Sequence, residues 1–166
     1  PMNWFLTPEV RSSAPLRLFC LPYAGGGAAV YRDWGRILPP EVELHSVQLP
    51  GRGWRMAEPP SKDLVGLADQ VAAAIAERAD RPFALFGHSM GAWLAFLVAG
   101  RLEQNGLEPR ALFASGRQAP SVGCTEPPMS HYSDAAFVEQ VQVRYGGIPA
   151  PILENPEVLE LLLPAL

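Results

Sequence analysis

Histidine and cysteine are scarce in this chain, three residues and two, and lysine occurs only once, at Lys62, among thirteen basic residues. No pair of histidines, cysteines or carboxylates stands at metal-ligand spacing, so the sequence predicts no metal site and no cofactor. Cys20 falls in an apolar strand pattern and Cys124 in a linker rich in proline and glycine. Two cysteines so placed read as free thiols in a reducing cytoplasm, and neither has the histidine-plus-acid surroundings of a nucleophilic thiol. Charge of one sign is also missing. A formal net charge of −4 leaves no basic footprint for nucleic acid and no polybasic patch for a membrane surface. The longest apolar stretches fall far short of a bilayer span, and the first residues lack the basic and long apolar segments of a signal peptide. The expectation is a cytoplasmic protein with neither nucleic acid nor membrane as partner.

What is present is a hydrophobic content of 48% in 166 residues, enough for one domain with a real core. Strand and helix patterns alternate along it. Leu16–Leu21 reads as a strand stopped by Pro22, and Gly25-Gly26-Gly27 opens a helix from Ala28 to about Ile37. Val42–Leu49 reads as a second strand. Asp63–Ala79 is amphipathic, with Leu64, Leu67, Ala68, Val71, Ala72 and Ile75 on one face. Phe83–Phe86 is a third strand, Met90–Gln104 a helix stopped by Asn105-Gly106, and Ala111–Ala114 a fourth strand. This alternation predicts an α/β protein with a mostly parallel sheet flanked by helices.

The character changes after Gly116. Residues 117–132 read as a connection, Asp134–Tyr145 as a helix, and Asn155-Pro156-Glu157 as a strong helix start. The expected division is therefore 1–116, a sheet-bearing core, and 117–166, a linker and helical lid.

The most informative residues are Gly87-His88-Ser89-Met90-Gly91. They match G-x-S-x-G, with an apolar strand before and a helical pattern after, the context in which a serine sits on a tight strand-to-helix turn. A serine hydroxyl is a poor nucleophile unless a base reaches it and backbone N–H groups meet the developing oxyanion. Ser89 is the candidate nucleophile. Met90, the residue after it, supplies one oxyanion N–H, and Ala24, in the glycine-rich loop after the first strand, supplies the other. The alternative for that loop is a glycine-rich helix start that only packs; a phosphate loop lacks its G-K-[ST].

Three separated segments carry a resemblance: Leu21-Pro22-Tyr23-Ala24-Gly25-Gly26, Gln48-Leu49-Pro50-Gly51-Arg52-Gly53-Trp54-Arg55, and Phe86-Gly87-His88-Ser89-Met90-Gly91-Ala92. Together they resemble the stand-alone type II thioesterases of polyketide and nonribosomal peptide biosynthesis, within the α/β-hydrolase superfamily. Leu112 through Gly116-Arg117-Gln118-Ala119-Pro120 and Tyr145-Gly146-Gly147-Ile148-Pro149 are similar too. Tyr23 stands where that family often has histidine, and Gly27 where it often has serine. The resemblance implies an α/β-hydrolase fold and hydrolysis of acyl groups from the phosphopantetheine arm of an acyl carrier or peptidyl carrier protein. Other readings are a serine esterase acting on small acyl esters and a non-catalytic module that docks a carrier protein. Arg52 and Arg55 read first as residues that fix a buried turn and second as substrate contacts.

In this fold class the nucleophile is followed by an acid and then a histidine. After Ser89 the only histidine is His131 and the only aspartate is Asp134, in reverse order; Ser133 and Asp134 read better as helix caps. His88 should point away from Ser89 into packing, and His45 should be a satisfied sheet histidine. The family draws its acid and histidine from a segment after the lid. The expectation is thus that the C-terminal part of the domain is absent and that the chain alone is nearly inactive.

Overall fold

The computed structural model describes residues 3–123, 129, 131–146 and 148–166, which form two compact units, 1–117 with Ala165 and 118–164 with Leu166. The first unit is built on a five-stranded sheet. Its strands are β1 (Phe5–Leu6), β2 (Leu16–Leu21), β3 (Val42–Val47), β4 (Phe83–His88) and β5 (Leu112–Ser115), in the order β1-β3-β2-β4-β5. The β3-β2-β4-β5 pairs are parallel, and β1 alone runs antiparallel, pairing Phe5 with Val47 and Leu6 with Ser46. The expected parallel, helix-covered sheet is present. The edge strand β1 is an addition: two residues carry no periodicity that a sequence pattern can register.

The helix expected over Ala28–Ile37 is instead a 3-10 turn (Ala28–Tyr31) and a short helix α1 (Trp34–Ile37). Residues 28, 31 and 34 lie three apart, the spacing that a 3-10 turn eclipses onto one side. That side is anchored: the buried Tyr31 hydroxyl donates to the Leu21 carbonyl at 3.0 Å, and Tyr31 and Trp34 both pack edge-on against Phe86. Helix α2 (Leu64–Ala76) starts at an Asp63 cap that accepts the Val65 N–H at 3.0 Å. Helix α3 (Met90–Gln104) has the predicted bounds; Gly106, at φ +75°, closes it as the Leu107 N–H reaches back to Leu102. One face of the sheet packs Phe19, Leu21, Val47, Leu49 and Leu85 with α2 and α3 residues such as Val71, Ile75, Leu94 and Val98. Cys20 is buried on the opposite face with Leu18, Leu44 and Tyr31. Burial pushes its thiol well up, so it stays protonated and inert. Cys124 lies outside the described residues.

A polar network ties the β1 side of the sheet. His45 is buried between Phe5 and Phe19, with Nδ1 3.1 Å from the Thr7 hydroxyl and Nε2 3.0 Å from Glu43. The satisfied sheet histidine is therefore as expected. Glu43 also accepts from Arg17 Nε at 2.9 Å and from the Arg11 N–H at 2.9 Å. Burial alone would raise the Glu43 carboxyl, but these bonds outweigh it and hold it at about 2 rather than 4.5. Burial lowers His45 below its ordinary 6.5, partly opposed by Glu43. Both groups hold fewer protons folded than unfolded, so stability falls as pH falls. The His45 contribution is lost from about pH 6.5 downward, and the Glu43 contribution from about 4.5 towards 2. Thermal unfolding from pH 8 to 3 should show a melting temperature level above pH 7 and declining below 6.5. His45→Leu should flatten the upper part of the decline; an unchanged profile in that variant would assign it to other groups.

The second unit is helical: α4 (Asp134–Tyr145), α5 (Ala150–Leu153) and α6 (Pro156–Leu162). Ser133 Oγ accepts the Ala136 N–H and Asn155 Oδ1 accepts the Val158 N–H, so both expected helix starts are true caps. Three helices stand where two were expected, because α5 forms directly after Pro149. Among the described residues no helix is long and apolar enough to cross a membrane.

Candidate active site

The site is assembled at the C-terminal ends of β2, β4 and β5. Leu21, the last residue of β2, pairs with Gly87 of β4, and His88 pairs with Ser115 of β5. The chain then turns from β4 into α3 within one residue, Ser89. Ser89 has φ +54° and ψ −116°, and among the described residues it is the only non-glycine residue with positive φ. Such a backbone costs about 1–3 kcal/mol and persists only where the surroundings over-determine it. Here they do. The Ser89 N–H donates to the Ser115 carbonyl at 2.8 Å, and the Ser89 carbonyl accepts from Ala92 at 3.0 Å.

The two motif glycines are steric requirements. A Cβ on Gly87 would lie 2.0 Å from the Gly91 carbonyl oxygen, and one on Gly91 would lie 2.2 Å from the Leu21 oxygen and 2.6 Å from the Pro22 oxygen. The first turn of α3 therefore rests directly on the backbone that leads into the loop 22–27. This is how the fold brings Met90 and the Ala24 loop to one end of the sheet. Ser89 stands at the N-cap position, yet its side chain makes no capping bond, leaving the half-buried hydroxyl uncommitted among the described residues. Among the described residues neither the Met90 N–H nor the Ala24 N–H donates to a protein acceptor. The Met90 N–H, without a protein acceptor among the described residues, follows that hydroxyl at the positive end of a 15-residue helix, an arrangement that suits the binding of negative charge.

The loop is held from beneath by Gln48, which is 1% exposed. Its Oε1 accepts the Ala28 N–H at 3.0 Å, while Nε2 donates to the Arg52 carbonyl at 2.7 Å and the Leu49 carbonyl at 3.2 Å. A Cβ on Gly53 would come within 2.7 Å of that amide, and φ +55° there admits glycine readily. Reading the sequence missed this clamp; the signal was a glutamine at the end of a strand between two glycine-rich turns.

Arg55 fixes the turn as expected. It makes paired bonds of 2.7 and 2.6 Å to Glu58, donates to the Gln48 carbonyl at 3.1 Å and stacks on Trp4 at 3.8 Å. Arg52 is equally buried but more loosely held, with 3.4 Å contacts to the Gly26 and Ala165 carbonyls and no partner for Nε among the described residues. Burial lowers its pKa.

His88 differs from expectation. It is exposed rather than packed away: Nδ1 lies 3.0 Å from Ser115 Oγ, and its ring meets Tyr23 edge-on. Gly116 makes room for it, since a Cβ there would lie 2.6 Å from the imidazole. Of the two histidines in the first unit, His45 is engaged by Thr7 and Glu43 and His88 by Ser115. His131 and Asp134 belong to the second unit, where His131 packs on Tyr132 and Asp134 opens α4. No group of three or more metal-ligating side chains occurs among the described residues.

A strained serine between a parallel strand and a helix, with motif glycines packed backbone to backbone, defines an α/β protein carrying a nucleophile-elbow geometry. The model of the thioesterase domain family matches residues 16–166, and the chain belongs to that family. It is 40% identical over 165 residues to the gramicidin S biosynthesis protein GrsT of Aneurinibacillus migulanus, covering 99% of this chain and 64% of that protein. Among solved structures it is similar to RedJ, a thioesterase from the prodiginine pathway of Streptomyces coelicolor. That match has 40% identity and a TM-score of 0.84, and covers 94% of this chain and 61% of RedJ. BorB, the type II thioesterase of the borrelidin cluster, gives 36% identity and a TM-score of 0.84, with coverage of 98% and 66%. The chain thus spans just under two-thirds of the length of these three relatives.

Proposed function

We propose that this chain carries the nucleophile of a serine thioesterase that hydrolyses acyl groups from the phosphopantetheine arm of acyl or peptidyl carrier proteins. The observation that carries the reading is the backbone of Ser89, held at φ +54° with its hydroxyl uncommitted. In this reading Ser89 attacks the thioester carbonyl, the carbon–sulfur bond breaks, and the Met90 and Ala24 N–H groups stabilise the oxyanion. Water then releases the acid from the acyl-serine. The type II thioesterases among the relatives support the carrier-bound substrate class. A cytoplasmic setting and a lid role for the helices of 117–166 belong to the same proposal and rest on sequence alone.

The base and its orienting acid are to be sought in the third of the relatives' length that this chain does not span. Residues 1–166 alone should accordingly show no thioester turnover above background. The discriminating measurement compares kcat/KM for an acyl group on a carrier protein with that for a simple aryl ester, in a protein as long as the relatives. A clear preference for the carrier-bound thioester is expected. A preference for the aryl ester would favour a small-ester esterase. A folded protein of that length inert to both substrates and to a fluorophosphonate probe would favour a docking module.

A further inference from the structure

The network that anchors β1 has an order of groups that a tie alone does not require: a hydroxyl, an imidazole and a carboxylate in series. Thr7 Oγ1 lies 3.1 Å from His45 Nδ1, and His45 Nε2 lies 3.0 Å from Glu43 Oε2. Glu43 is ionised and can only accept, so Nε2 carries the hydrogen. With the imidazole neutral, Nδ1 is then a lone pair aimed at the Thr7 hydroxyl, which donates to it. Thr7, His45 and Glu43 all line one cleft of about 600 Å³ on the β1 side of the sheet. None of residues 22–27 or 88–91 lines it, so the cleft is separate from Ser89. Its wall is partly apolar, with Phe5, Val10 and Trp54, and partly cationic, with Arg78 and Arg81. Arg81 is engaged with Asp80 and with the Ser12 and Ala14 carbonyls, whereas Arg78 has no carboxylate partner among the described residues.

We infer that Thr7, His45 and Glu43 form a second nucleophilic site, at which Thr7 accepts an acyl group from a small activated ester seated in this cleft. In the step, Thr7 Oγ bonds to the acyl carbon and its proton passes to His45 Nδ1. The ester carbon–oxygen bond breaks, and the alcohol or phenol leaves as its oxide, taking the proton back from the imidazolium. The products are a Thr7 ester and a neutral alcohol, with His45 restored. Glu43 steadies the imidazolium formed in between, and Arg78 brings positive charge to the cleft in which the oxyanion develops. The groups facing His45 are Glu43 on its own strand, Arg17 from β2, Thr7 from the segment after β1, and Arg78 from the loop after α2. Burial, with smaller contributions from the two arginines, opposes protonation of the ring, so at neutral pH it stands neutral with Nδ1 open to the Thr7 proton.

The test uses the 166-residue chain carrying Ser89→Ala, treated with p-nitrophenyl acetate at pH 7 and mapped by tryptic mass spectrometry. Residues 1–11 contain Thr7 as their only hydroxyl side chain, and hydroxylamine separates a Thr7 ester from an amide at the chain terminus or at Lys62. Acetylation of Thr7 is expected at least ~100-fold faster than at the exposed Ser13, the scale of general-base assistance. The preference should vanish in urea, persist in Thr7→Ser, and fall in acid as His45 is protonated. Thr7 reacting no faster than Ser13 in the folded chain would overturn the inference and leave the network as a structural tie. So would a preference that survives unfolding.

Discussion

Ser89→Ala is expected to lower thioester hydrolysis by on the order of a million-fold in kcat, with little change in KM, in a protein as long as the relatives. Every other part of the site is held without the hydroxyl: the Met90 N–H by α3, the Ala24 loop by the Gly91 contact and the Gln48 clamp. Removing Oγ therefore deletes the proposed nucleophile and leaves these contacts in place. Ser89→Gly separates chemistry from stability. Glycine adopts φ +54° without the strain serine bears, so this variant should be equally dead yet more stable by roughly 0.5–1 kcal/mol. Denaturant unfolding and carrier-thioester assays on the same two variants decide the matter. Substantial activity in Ser89→Ala would remove Ser89 from the mechanism altogether. A loss of stability in Ser89→Gly would mean that the turn is not strained.

Much of this arrangement was legible in the sequence, and the exceptions have physical causes. Helices α3 and α4 have the predicted bounds because both ends of each are written locally, α3 by the elbow and Gly106, α4 by Ser133 and Gly146. Strand β4 runs two residues past its apolar stretch because Gly87 and His88 still pair with Leu21 and Ser115. No propensity encodes that; it is a property of the neighbouring strands. The 3-10 turn at Ala28–Tyr31 was hidden for the same reason, since its cause is the distant Phe86 and the Leu21 carbonyl. The sharp turn at Ser89 could be picked out because the G-x-S-x-G motif fixes the spacing of the glycines on either side of it. Gln48 and the Thr7–His45–Glu43 series could not, because each joins segments whose approach only the sheet creates. The exposure of His88 depends likewise on Ser115 and Gly116 arriving beside it from β5.

Glycines along α3 should respond to alanine with opposite signs, and the contrast tests how the elbow is built. At Gly91 the added methyl would meet the Leu21 oxygen at 2.2 Å and the Pro22 oxygen at 2.6 Å, both rigid backbone at the end of a central strand. No rotamer relieves that contact, so α3 must lift from the loop or β2 must yield. The expected cost is at least ~3 kcal/mol, above the usual range for a point substitution. In a chain of this size that lowers the melting temperature by about 10 °C. At Gly100, in the same helix, nothing lies within 4 Å of the new methyl. There alanine only removes backbone freedom from the unfolded state and should stabilise by about 0.5–1 kcal/mol. A Gly91→Ala chain that still folds would carry its Met90 N–H displaced from the Ala24 loop. In a protein as long as the relatives, it should react more slowly with a fluorophosphonate even under conditions where it is fully native. Gly100→Ala should react at the parent rate. Equal stability changes at the two positions would mean that the helix does not rest on the Leu21–Pro22 backbone. The first turn of α3 would then owe its position to contacts other than that close approach.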